Sequence, residues 1–257
     1  MPWDFLLLLV LLGVVLPWRS AIEIRRLLRL ERLSTADRVA VYASTIVLQW
    51  IAVGVVYWRT DARGITPAQL GLAAPDAPRV ILAAVTLTIT LGLYQLWSLA
   101  RLAKRPLEQQ GFEGELALKI LPQNTVEMTA FLALTATVAL CEEFLFRGFA
   151  FAALREASGG SLGAAIFGSS LLFAAAHAYQ GARGVALTFV VGAVFAFVRD
   201  WTGSLIPTML AHFFADLLAG VLAPRWLATP SRTMAPEAVE EAAVSPVPPI
   251  RRSEDDE

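Results

Sequence analysis

Apolar residues run along this chain in long blocks, separated by short polar stretches. The blocks fall at roughly 3–18, 39–58, 80–100, 125–150, 161–180, 184–198 and 204–223. Each approaches the ~20 residues that an α-helix needs to cross ~30 Å of hydrocarbon, the first and sixth being short. The pattern predicts an all-α fold, a polytopic bundle of about seven transmembrane helices. The first block carries Asp4 instead of a basic leader, and Arg19 follows it with no small-residue cleavage pattern. It reads as a retained helix, not a signal peptide.

The polar stretches refine this picture. Segment 19–33 sets Ile22, Ile24, Leu27, Leu28 and Leu30 among arginines. It reads equally as an amphipathic helix in the membrane interface or as an extension of the first helix. From about residue 227 the chain turns Pro-, Ala- and Glu-rich, a composition that cannot bury a core, so the tail is expected to be disordered. Three regions follow: N-terminal membrane helices at 1–124, a polar-residue-bearing helical core at 125–223, and a tail at 224–257. In a seven-span arrangement 15 of the 21 Lys and Arg residues fall on one side, including Arg25, Arg26, Arg29, Arg101, Lys104 and Arg105. The positive-inside rule then puts the N-terminus outside and the C-terminus in the cytoplasm.

Composition agrees with a membrane protein. The chain is 56% hydrophobic and 17% charged, against about a quarter charged in a soluble domain. Its net charge of −1 leaves no basic face for phosphates, which argues against a nucleic-acid partner. Cys141 is the one cysteine, so neither an internal disulfide nor a Cys-based metal cage can form.

Chemistry enters through residues that are costly in lipid. The fourth block contains Glu142, Glu143 and Arg147, the fifth His177, and the seventh His212 and Asp216. A charge near the bilayer centre costs at least ~2.5–3.5 kcal/mol on insertion scales, so such residues are normally paired or functional. Glu143 and Arg147 are four apart and share a helix face, as do His212 and Asp216. Glu142 points ~100° away from Glu143, free to face another helix. Counting from the turn at Ser158-Gly159-Gly160, Glu142 and His177 both lie ~25 Å along antiparallel helices. His212 lies somewhat shallower, within reach of both.

Such a set supports water chemistry. A Glu and a His facing one water can take its proton and aim it at a peptide carbonyl, worth ~10²–10⁴ in rate. His212 with Asp216 could stabilise the oxyanion that develops. Glu142, His177 and His212 could equally hold Zn or another divalent metal with an open water position. Metal-free and metal-assisted activation both remain open at this level. Glu143 and Arg147 read as a structural pair, Phe173 as packing beside the site, and Gly203 with Pro207 as shaping the start of the last helix.

The order Glu-Glu-x-x-x-Arg (142–147), Phe-x-x-x-His (173–177) and His-x-x-x-Asp (212–216) resembles the CPBP family of membrane peptidases. That family includes the type 2, Rce1-like CAAX prenyl proteases, bacteriocin-processing and immunity proteins, and lysostaphin-resistance-like proteins. The resemblance covers about 125–223. It implies an intramembrane endopeptidase, glutamate- or metal-dependent, resident in a bacterial cell membrane and acting on a membrane-associated peptide or protein. It further implies that Glu142 is the catalytic carboxylate, that His177 helps it activate water, and that His212 and Asp216 serve the oxyanion. Glu143 and Arg147 match the supporting pair. The family takes Asn or Asp at the last position; an ionised Asp216 cannot donate a hydrogen bond, so its expected part is to orient His212. A non-proteolytic immunity or scaffold protein on the same fold is the competing reading, and a proton-coupled transporter a third.

Overall fold

A computed structural model describes residues 1–30, 33–106 and 109–227, with the backbone alone at 111–113. Among the described residues eight helices form the chain, with no β-strand. They are α1 (Trp3–Arg29), α2 (Thr35–Ala62), α3 (Ala77–Ala103), α4 (Gly111–Ile120), α5 (Thr125–Ala157), α6 (Leu162–Ala176), α7 (Gly181–Thr202) and α8 (Ile206–Leu227). Each predicted block has its helix. Six are long and apolar enough to cross a membrane, α7 being counted from Ala178, whereas α6 has 15 residues, about 22 Å. The expected disordered tail from 228 onward lies outside the described residues, and α8 itself runs to Leu227.

Local sequence sets the helix starts. Ser34 and Asp37 form a reciprocal capping box at the start of α2. The side chains of Asp76, Asn124 and Ser161 accept from backbone N–H groups at the starts of α3, α5 and α6. Between α7 and α8 the chain reverses at Gly203, whose φ of 66° is left-handed backbone that suits glycine. Pro207 then occupies the first turn of α8, as the sequence suggests.

The amphipathic stretch after the first span is resolved as a helical continuation: α1 runs unbroken from Trp3 to Arg29, with a wider π-helical turn at Leu11–Val15. The 101–124 connection also holds an unpredicted short helix, α4. Its Ala117 and Leu118 pack with Leu121 on Leu99 of α3 and on Ala223 and Leu227 of α8. The Lys119 ammonium bonds to the carbonyls of Leu28 and Leu30 at the end of α1. These contacts gather the end of α1, the end of α3 and α4 at one end of the bundle, where Arg25, Arg26, Arg29, Arg101, Lys104 and Arg105 are exposed.

Buried charges fasten both ends. Asp4 accepts from Arg59 and Arg63, tying α1 to the end of α2. At the opposite end Glu127, fully buried, accepts from Thr35, Arg38, the Asn124 amide and the Gln123 backbone. Pairing of this kind offsets the desolvation of the carboxylates. The main apolar core lies around α5: Phe144, Leu145, Phe146, Phe149 and Ala150 pack against Phe5, Leu8 and Leu12 of α1, Leu70 of the α2–α3 loop, and Phe173 of α6.

Candidate active site

The centre of α5 departs from α-helical geometry at the residues of interest. Residues Glu143–Ala150 form a π-helix, beginning directly after Glu142. Such stretches are rare, and those that occur are frequently at functional sites. The i,i+4 reading nevertheless holds for one pair: Arg147 Nη1 donates to Glu143 Oε1 at 2.9 Å, with both side chains fully buried. Breaking a pair so deeply buried would leave an uncompensated charge.

Arg147 has few hydrogen-bond partners besides. Its Nε and Nη2 make no hydrogen bond, and the guanidinium carbon lies 3.8 Å from the Phe173 ring centroid and 5.3 Å from that of Phe195. Two aromatic faces thus supply cation–π contact where polar partners are lacking. Gly192 of α7 makes room for this arrangement, since a Cβ there would stand 3.3 Å from Arg147 Nη2 and from the Ser170 backbone.

The carboxylate of Glu143 also reaches α8. His212 Nδ1 lies 3.1 Å from Glu143 Oε1, so this oxygen serves both Arg147 and His212. On its other side, His212 Nε2 is 3.6 Å from Asp216 Oδ2. A chain of polar side chains, Arg147–Glu143–His212–Asp216, therefore crosses from α5 to α8. The sequence reading paired His212 with Asp216 and Glu143 with Arg147, but did not join the two pairs. The depth count sets His212 somewhat shallower yet within reach of α5, and the structure has it in direct contact with Glu143. The π-helical turn and the termination of α6 alter the assumed register.

His177 sits where α6 ends. It is the C-terminal cap, followed by a single 3-10 turn at Ala178–Gln180 and by Gly181 at φ 76°. The expected fifth span of 161–180 is thus cut short at the histidine. Its Nδ1 lies 2.9 Å from the Phe173 carbonyl oxygen, which can only accept. Nδ1 therefore carries a proton, and in the neutral ring Nε2 is the acceptor. The imidazole stacks 4.5 Å from Phe173 and 5.9 Å from Tyr179, measured between centroids. Phe173 is thereby more than wall: its carbonyl fixes His177 and its ring seats Arg147.

Glu142 points away from this chain, as its position one residue before Glu143 suggests. It does not bond to His177. Gln49 Nε2 of α2 donates to Glu142 Oε1 at 3.1 Å, while Glu142 Oε2 is buried with no hydrogen-bond partner. Glu142, His177, His212 and Asp216 are each partly exposed, whereas Glu143 and Arg147 are sealed. Gln49 and Phe195 do not stand out in the sequence, and Tyr179 reads there as an ordinary membrane-helix residue. Gln49 had a signal, an amide within the second apolar block, but an uncharged one.

The metal reading fits this arrangement poorly. Among the described residues no three His, Cys, Asp or Glu side chains are grouped to hold an ion. His212 Nδ1 is taken by Glu143, and Asp216 stands 3.6 Å from Nε2, so an ion held by the Glu142, His177 and His212 set would compete with both carboxylates for that ring. No step below is routed through a metal.

Residues 124–218 match the family model described as type II CAAX prenyl endopeptidase, Rce1-like. This segment is Rce1-like. It spans α5 to the middle of α8 and includes every site residue named above except Gln49. No curated protein and no solved structure matches the chain. The match covers less than half of the chain; together with the six long apolar helices it supports an integral membrane protein.

Proposed function

We propose that the protein is an intramembrane endopeptidase of CAAX type, which hydrolyses a peptide bond near the C-terminus of a prenylated, membrane-associated substrate. The observation that carries the reading is the relay Arg147–Glu143–His212–Asp216 inside the Rce1-like segment, with Glu142 and His177 partly exposed beside it. Polar groups concentrated in otherwise apolar helices mark a functional site by their cost.

In this mechanism water lies between Glu142 and the scissile carbonyl. The carboxylate of Glu142 takes one proton, and the resulting hydroxide adds to the carbonyl carbon. His177, with its Nδ1–H held by the Phe173 carbonyl, orients the water through Nε2. The carbonyl oxygen becomes an oxyanion facing the Nε2–H of His212, which in this mechanism is an imidazolium, since its Nδ1–H is given to Glu143. Glu143 and Asp216 fix that imidazole from two sides, so no reorganisation is needed as charge develops. Collapse breaks the C–N bond, and Glu142 returns its proton to the departing amine nitrogen. The products are one carboxylic acid and one amine, which leave as carboxylate and ammonium once the acid proton passes to the amine.

The test is cleavage of a farnesylated CAAX-type peptide by the full-length protein in lipid nanodiscs, compared with Glu142→Ala and His177→Ala. Wild type is expected to cleave, and each variant to lose about 10²–10⁴ in rate while remaining folded. Wild-type activity in either variant would remove that residue from the mechanism. No cleavage by the wild type would overturn the substrate assignment.

A further inference from the structure

The segment that matches the family model begins at residue 124, yet one polar side chain bonded to the candidate carboxylate comes from outside it. Gln49 lies in the middle of α2, which packs along α5. Its neighbours Val47, Leu48, Trp50 and Ile51 are exposed apolar residues, as befits a helix facing lipid. A carboxamide buried in such a helix loses hydration and needs a partner. Gln49 Nε2 finds one in Glu142 Oε1, at 3.1 Å. That bond divides the two oxygens of the carboxylate: Oε1 accepts from the amide, and Oε2 has no hydrogen-bond partner.

We propose that Gln49 is a positioning residue for the hydrolysis, holding Glu142 by Oε1 so that Oε2 is the oxygen that receives the water proton. The inference rests on Glu142 being the general base. Its physical content is orientation. A glutamate has three side-chain torsions, and a carboxylate free to turn presents either oxygen, or neither, to the water. A donor on a neighbouring helix selects one rotamer before substrate arrives. Misplacement of a reacting group by 1 Å can cost ~10²-fold in rate. The amide is also neutral, so it holds the carboxylate without the competing ion pair that a Lys or Arg would impose. The basic partner at this level, Arg147, is instead committed to Glu143. The adjacent carboxylates thus have different tasks: Glu143 is locked by a cation, and Glu142 is steered by an amide.

The experiment uses the full-length protein in nanodiscs and a farnesylated CAAX-type peptide, with Gln49→Met, Gln49→Glu, Glu142→Ala and the double variant Gln49→Met/Glu142→Ala. Methionine keeps the length of the side chain and removes the donor. It is expected to lower kcat about 10- to 100-fold with KM within about twofold and an unchanged unfolding temperature. Glutamate keeps the shape but opposes one carboxylate with another, and should lose at least as much. Glu142→Ala should lose about 10²–10⁴ in rate, and adding Gln49→Met to it should lower the residual rate no further, because the two residues act as one unit. Wild-type kcat in Gln49→Met, or a loss carried by KM or by instability alone, would overturn the positioning role while leaving the reading of Glu142 intact. Wild-type activity in Glu142→Ala would overturn both.

Discussion

His212 Nδ1 meets Glu143 Oε1 at 3.1 Å, across the boundary between α8 and α5. Because a carboxylate oxygen only accepts, the imidazole donates at Nδ1, and its orientation is set by a residue that is itself held by Arg147. Glu143 therefore links the packing of the bundle to the candidate chemistry. Glu143 is fully buried and ion-paired, whereas Glu142 next to it is partly exposed and makes no ion pair among the described residues.

The buried pair makes a prediction about stability. Glu143→Leu leaves the Arg147 guanidinium with aromatic contacts but no anion, and removes the orienting partner of His212. Removing one member of a buried pair costs about 3–5 kcal/mol, whereas replacing both by apolar residues is often neutral. Glu143→Leu should therefore lower the unfolding temperature in detergent markedly. Glu143→Leu/Arg147→Met should recover most of the loss, yet stay inactive because His212 is no longer held. A stable, active double variant would separate Glu143 from the site.

Asp216 allows a finer test. It stands 3.6 Å from His212 Nε2, and its side chain is 39% exposed. An orienting role needs an acceptor near the ring but not a full charge. Asp216→Asn should keep activity within about tenfold of wild type, with Asp216→Leu losing about 10²-fold, the scale for a displaced oxyanion donor. Equal loss in both variants, read as kcat on the same peptide, would assign Asp216 a task that needs its charge.

Much of this site is legible in the sequence, for an energetic reason. Glu142, Glu143, Arg147, His177, His212 and Asp216 stand out because ionisable groups in apolar helices are expensive, and the structure brings the alternating pairs 143–147 and 212–216 together as helical spacing requires. The spacing rule works within one helix. It carries no information on which carboxylate a histidine of another helix will choose, so the Glu143–His212 contact was not foreseen. Gln49 escaped notice because its cost is that of a neutral amide. The π-helical stretch at Glu143–Ala150 and the end of α6 at His177 are products of packing, and hydropathy blocks do not encode them. For the same reason the predicted span boundaries fall short of the helix ends at Ala62, Ala157 and Leu227.

Metal dependence can be tested directly. The two carboxylates at the nitrogens of His212 compete with any ion for that ring. Cleavage by purified protein should persist after dialysis against EDTA, with less than molar-equivalent zinc in the active sample. Loss of activity on chelation, restored by added Zn²⁺, would show that Glu142, His177 and His212 rearrange around a metal.

Orientation in the membrane follows from the distribution of cations over the bundle. Arg25, Arg26, Arg29, Arg101, Lys104 and Arg105 are exposed at the end where α4 ties α1, α3 and α8 together. The α2–α3 loop lies at the other end, held there by the contact between Leu72 and Ser204 and by the Leu205 backbone bond to Gly71. The positive-inside rule puts the cationic end in the cytoplasm. The chain suits a thiol-labelling test, since Cys141 is buried and gives a low background. Lys104→Cys and Ala68→Cys replace exposed residues at the two ends. A membrane-impermeant maleimide should label Ala68→Cys in intact cells, and Lys104→Cys only after the membrane is opened. The reverse pattern would invert the topology.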